Sequence, residues 1–133
     1  MIDLATAGSD PVNYHVDATR GLVFITLRGH VTFVDLHRVQ SLILSDPRYR
    51  DGMSLFIDCR ILTAIPSHDE IHTLAFEPLF RPVVGGRARV AVVAMTRLGF
   101  AFALALDSFL CASEDDIGLF TSHIEARAWI GAG

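Results

Sequence analysis

Between Met53 and His72 an apolar run, Met53, Leu55, Phe56 and Ile57, ends at Asp58, gives way to a loop, and is followed by a helix opened by Ser67. A short continuous apolar run is the pattern of a strand covered on both faces, which is what a parallel sheet demands. Asp58 is then expected at the carboxyl end of that strand, where open α/β sheets place their sites. Ser67 with Glu70 reads as a capping box, so the first N–H groups of the helix are expected to point into the same crevice. The order recurs at Ala88 to Met95, a second apolar strand followed by Thr96 as the cap of a helix from Arg97 to about Ala112. Two strand–helix units of this kind confine the chain to the α/β class.

The remaining elements follow from periodicity. Residues 1–12 read as a loosely held leader and 13–131 as one domain. Tyr14 to Ala18 and Leu22 to Arg28 suggest two antiparallel strands joined at Thr19-Arg20-Gly21. Thr32 caps a helix to about Ser45 whose Phe33, Leu36, Val39 and Ile43 form one stripe, and Asp46-Pro47 stops it. Pro78 and Pro82 break the helical pattern after Ser67, and Gly85-Gly86 let the chain turn into the next strand. Asp116 to Phe120 reads as a last strand, and Ser122 with Glu125 as a capping box opening a helix through Ile130. The order is ββαβαβαβα, which predicts a mostly parallel sheet of four or five strands with an antiparallel edge strand.

Composition narrows what such a domain does. A chain of 133 residues with 51% hydrophobic content buries one good core. All 11 basic residues are arginine against 15 acidic ones, giving a net charge of −4 with no basic run, so nucleic acid is not an expected partner. The absence of lysine excludes Schiff-base chemistry and a P-loop lysine. Cys59 and Cys111 lack metal spacing and form no disulfide framework. Neither a signal peptide nor a membrane span is expected, since the longest apolar run, Leu98 to Leu106, is about half of what a span needs. A cytoplasmic location is the expectation.

The order of elements, the pattern Gly29-His30-Val31-Thr32, the strand Leu55-Phe56-Ile57-Asp58 and the ending Leu119-Phe120-Thr121-Ser122-His123-Ile124-Glu125-Ala126-Arg127-Ala128-Trp129-Ile130 resemble the SpoIIAA-like group of STAS-fold proteins, also described as STAS/Sec14-like. The resemblance covers roughly residues 13 to 131 and implies a small bacterial domain related to anti-sigma factor antagonists and to lipid-binding Sec14 folds. Antagonists of that fold carry Asp-Ser-Ser-Gly after this strand, with one serine phosphorylated. Here the matching positions read Pro66-Ser67-His68-Asp69, so only Ser67 corresponds.

Asp58, Arg60, Ser67, Thr96 and Arg97 are the candidates for a small polar ligand or a regulatory site, all expected near the carboxyl ends of adjacent strands. Ser67 reads first as an N-cap and alternatively as a phosphate-accepting hydroxyl, against which Asp69 and Glu70 already place two negative charges. His68 and His72, four residues apart, have the spacing of two helical metal ligands but no third ligand, so no metal and no cofactor is expected. The helix from Leu98 is apolar nearly all round, and Phe102, Leu106 and Phe109 make one stripe for the sheet. Phe100 and Leu104, with Leu79 and Phe80, are therefore expected to meet a second chain or an apolar ligand. The leading expectation is a non-enzymatic STAS-like binding or regulatory module, acting as a homodimer or through a protein or small apolar ligand. The alternatives are a lipid- or fatty-acyl-binding Sec14-like domain, with the ligand between the Leu98–Leu110 helix and the Leu79–Val84 segment, and a metal-dependent enzyme using His68 and His72.

Overall fold

The computed structural model describes residues 10–111 and 113–131, so most of the expected leader lies outside the described residues. Strands β1 (Val12–Asp17) and β2 (Leu22–His30) form the expected antiparallel pair, turned at Gly21, whose φ of 66° lies in the left-handed region that glycine adopts without strain. Helix α1 (Phe33–Ser45) begins at a full capping box, Thr32 with Asp35, and stops at Asp46. Strand β3 (Ser54–Ala64) is followed by α2 (His68–Ala75), a 3-10 turn at Pro78–Phe80 and the short α3 (Arg81–Val84). Strand β4 (Val90–Val93), α4 (Arg97–Leu110), β5 (Ile117–Phe120) and α5 (His123–Ile130) complete the chain. Ser122 accepts the Glu125 N–H, so it caps α5, but only this half of the expected box forms.

The five strands lie in the order β1-β2-β3-β4-β5, with β1 antiparallel and every other neighbour parallel. This is the mixed sheet that periodicity predicts, and β4 has parallel partners on both sides. Each crossover steps to the next strand in the same direction, which places α1, α2 and α4 on one face. Val39 and Ile43 of α1, Ile71 and Ala75 of α2, and Phe102 and Leu106 of α4 pack there on Val23, Ile25, Ile57 and Val92. Full burial of a side chain such as Ile43 or Leu106 contributes about 1.5–3 kcal/mol, so this layer dominates stability. Among the described residues the other face carries only α5, through Ala126, Trp129 and Ile130 on Phe56, Ala91, Val93 and Phe120. Arg89 ties that helix down, its guanidinium 3.7 Å from the Trp129 ring centroid and Nη1 donating to the Trp129 carbonyl at 2.9 Å.

Sequential strand order corrects one expectation. A crevice at the carboxyl ends of the strands needs a point where the order reverses and neighbouring connections diverge to opposite faces. Among the described strands there is no such reversal. Strand β3 moreover continues six residues past Asp58, pairing with β2 as far as Ala64 through two register shifts. Asp58 is thus a mid-strand residue, although β4 ends beside it at Val93.

Helix α4 is apolar all round because it is covered from more than one side. Its Phe102, Leu106 and Leu110 are buried, and Gly99 lies so close to β3 that a Cβ there would stand 2.8 Å from the Cys59 carbonyl oxygen. The rings of His68 and His72 meet Phe109 edge-on at 4.7 and 4.6 Å. Phe100 is half-buried, and Leu104 is left 57% exposed.

Candidate functional site

Two places bring candidate residues together, one on each face of the sheet. On the helical face a narrow apolar cleft, with an internal space of about 30 Å³, lies between β2, α1, α2 and α4. Its walls include Ile25, Leu36, Val39, Ile71, Phe102 and Leu106, and it is closed by Leu79 and Phe80 of the 3-10 turn. Leu79 and Phe80 are 3% and 7% exposed, so they are wall residues rather than the outer interface the sequence also allowed. Leu79 and Phe80 share the lining of this cleft with Phe102 and Leu106 of α4. Phe100 and Leu104 are not among its walls.

Gln40 is the one polar residue in that lining, and burial of an amide side chain is tolerated only with a partner. Its Oε1 accepts the Leu79 N–H at 3.0 Å, which fastens the 3-10 turn to α1. One turn earlier on α1, His37 Nδ1 lies 3.0 Å from both carboxylate oxygens of Glu77, the residue that begins the turn. The two contacts hold one wall of the cleft against the other. Leu104 belongs to a different groove of about 70 Å³ beside β5, shared with Ala103, Asp107, Ile117 and Leu119.

On the opposite face Asp58 is 8% exposed and fully matched to Arg60. Arg60 Nε donates to both carboxylate oxygens at 2.9 and 3.1 Å, Nη2 donates to Oδ2 at 2.8 Å, and the Arg60 backbone N–H donates to Oδ1 at 3.2 Å. Such a fork fixes the buried carboxylate in place. Two residues of α5 that the sequence reading did not single out join this pair. His123 stands edge-on to Phe56 at 4.9 Å, and the Arg127 guanidinium lies 5.3 Å from the Phe24 ring centroid. Burial, then the charge of Arg60, then that of Arg127 push the His123 imidazole below its ordinary pKa, against the opposing pull of Asp58. The available signal was the four-residue spacing of His123 and Arg127, which sets both on one side of a helix.

Ser67, Thr96 and Arg97 do not converge on Asp58. Ser67 Oγ accepts the Glu70 N–H at 3.2 Å while Glu70 caps back at 2.9 Å, so its hydroxyl completes the expected box. Thr96 Oγ1 accepts the Gly99 N–H at 3.0 Å and opens α4. Arg97 is the first residue of that helix, whose buried side packs on the face away from Asp58. His68 and His72 flank Phe109, and among the described residues no three His, Cys, Asp or Glu side chains gather where a metal ion could be held. Cys59 is buried in the core, where desolvation pushes its thiol up out of reach of ionisation, and Cys111 is a free exposed thiol.

The comparisons agree with this architecture. No family model matches the chain, and no curated protein matches it. Among solved structures it is similar to an uncharacterised DUF3478-family protein with a SpoIIAA-like fold from Shewanella loihica, with a TM-score of 0.56 and 16% identity over 90% of this chain and 91% of that one. The chain has a SpoIIAA-like α/β fold. Among the described residues no helix is long and apolar enough to cross a membrane.

Proposed function

We propose that this chain is a non-enzymatic STAS-like binding module whose cleft takes a slender apolar ligand of the fatty-acyl type. The observation that carries the reading is the cleft itself, an apolar space closed by a turn that is fastened by two side-chain contacts rather than by continuous secondary structure. Pockets for small molecules are likewise mostly apolar with a few placed polar groups. A narrow slot suits a flexible acyl chain better than a bulky ring. The side chains that sequence offered for chemistry have other work: Ser67 caps α2, Cys59 fills the core, and His68 and His72 cover Phe109.

Titration with a fluorescent fatty acid, followed by native mass spectrometry of the complex, tests the proposal. Saturable one-to-one binding that is lost when Val39→Phe fills the cleft supports it. Binding that Val39→Phe leaves unchanged in a folded protein refutes the location, and the absence of saturable binding refutes the ligand class.

A second reading, self-association, is favoured by one specific observation. Leu104 and Leu119 are 57% and 41% exposed beside the groove along β5, whose outer edge has no strand partner among the described residues. A second copy is the occupant proposed for that side.

A further inference from the structure

The cleft as it stands holds less than an acyl chain needs. An internal space of about 30 Å³ is room for roughly one or two water molecules, whereas an acyl chain brings many methylenes of comparable size. Of the lining residues only Leu36 is not buried, so the mouth is narrow and lies on α1 beside His37. Filling the cleft therefore requires a wall to move. Strands β2 and β3 and helices α1 and α4 are long elements built into the sheet and its cover. The wall supplied by Leu79 and Phe80 is of another kind.

Residues 77–86 form a strap whose backbone is bonded within itself. The Phe80 N–H donates to the Glu77 carbonyl at 3.1 Å, Gly85 to Arg81 at 3.0 Å and Gly86 to Val83 at 3.1 Å. Pro78 and Pro82 fix φ at two points between these bonds, so the middle of the strap is stiff. Its ends are freer. Phe76 closes α2 as the C-cap, and Gly85-Gly86 end the strap, with Gly86 at a φ of 73°. Two polar contacts tie it to α1: the Leu79 N–H donates to Gln40 Oε1 at 3.0 Å, and the Glu77 carboxylate lies 3.0 Å from His37 Nδ1. The first is a buried catch and the second an outer one.

We infer that residues 77–86 are a lid, hinged at Phe76 and at Gly85-Gly86, which lifts off α1 to admit an acyl chain. Its purpose rests on the acyl-binding reading of the cleft, but the motion belongs to the free chain. Opening takes Leu79, Phe80 and Val83 out of the core, which keeps the open form rare. The acyl chain takes over the contacts with Leu36, Phe102 and Leu106 that Leu79 and Phe80 give up, so the ligand selects the open form.

Amide hydrogen exchange of the whole chain without ligand tests the motion. The Leu79, Phe80, Gly85 and Gly86 N–H groups are expected to exchange together, well before those of the buried residues of α4 and β3. Glu77→Ala removes the outer catch and should speed strap exchange about two- to fivefold, the usual range for a surface ion pair. Gly85→Ala should slow it by a similar factor, since a φ of −79° and ordinary contacts around the added methyl suit the closed form while the hinge loses freedom. Arg20→Gln, in the β1–β2 turn, should change nothing. Strap amides that exchange only with the core overturn the lid, as does strap exchange that neither variant moves or that Arg20→Gln moves equally. Fluorescent fatty acid separates the motion from the ligand. Binding tightened by Glu77→Ala and weakened by Gly85→Ala, in proportion to exchange, supports the lid as the entrance, and equal binding by both variants while exchange differs overturns it. A strap that exchanges as expected in a chain without saturable binding supports the lid and refutes the acyl reading.

Discussion

Replacing Gln40 by leucine separates the two roles its amide plays. The side chain is 4% exposed and its oxygen accepts from the Leu79 N–H, itself on a residue 3% exposed. Gln40→Leu keeps nearly the same volume, so no large cavity opens, but the Leu79 N–H is left buried without an acceptor. An orphaned buried donor costs about 1–3 kcal/mol. Against this, a buried amide becomes an apolar branch, which recovers roughly 1 kcal/mol of transfer free energy. The net expectation is a loss of about 0–2 kcal/mol, or a fall in Tm of up to roughly 7 °C for a domain of this length. Calorimetry of the variant and the wild type measures it, with circular dichroism to confirm that the fold is kept. Because the cleft then becomes wholly apolar and its turn less firmly held, fluorescent fatty acid should bind at least as tightly as to the wild type. A raised Tm would refute the reasoning, since it would mean that the Leu79 N–H finds another partner at no cost.

Leu104→Glu should give a folded protein, with less than about 1 kcal/mol lost because the side chain is mostly exposed, and sedimentation should show a smaller species if the groove beside β5 joins two copies; an unchanged oligomeric mass rejects this surface. His68→Ala combined with His72→Ala should cost about 1 kcal/mol by uncovering Phe109 while leaving fold and acyl binding intact. Stoichiometric zinc bound by the wild type and lost from that double variant would contradict it. Cys111 ends α4 at a φ of 51°, where a side chain is strained, so Cys111→Gly should raise stability by about 0.5–1 kcal/mol in urea unfolding, and a loss would show that its Sγ contact with the Ser108 carbonyl matters more. For His123, whose pKa is depressed on folding, the unfolded chain binds the extra proton; this contribution to stability is complete above the unfolded pKa of about 6.5 and is lost as pH falls below it. His123→Gln should therefore flatten the slope of stability against pH just below that value, and an identical slope in the variant would refute the burial argument.

Where residues report on their own neighbours along the chain, the sequence was readable. The caps at Thr32, Ser67, Thr96 and Ser122 and the stop at Asp46 all fall where side-chain type puts them, because capping is a contact within three residues. The end of β3 was not readable: from Cys59 to Ala64 polar Arg60 and Thr63 interrupt the apolar run, and only pairing with β2 keeps that stretch extended. Gln40 counts as polar in any periodicity, so its burial depends on the Leu79 N–H arriving from thirty-nine residues away. The partnership of Asp58 and Arg60 with His123 and Arg127 is long-range in the same sense. It exists because α5 takes the face that the other helices leave, and the choice of face is decided by the order of the strands rather than by any local pattern.

That order also bears on how the molecule is made. Because each strand pairs with the one before it, β1 has its partner once β2 has left the ribosome, and every later strand meets an edge that is already there. No strand has to be inserted between two others, so the sheet can lengthen by accretion from the amino-terminal side at low cost in loop closure. Among the described residues it is α5 that covers Phe56, Ala91 and Val93, so that surface stays open until the helix docks. Helix α5, which follows every strand of the sheet in the chain, is thus the one that closes a growing, sticky surface, and the interval before it docks is when a chaperone would have most to hold.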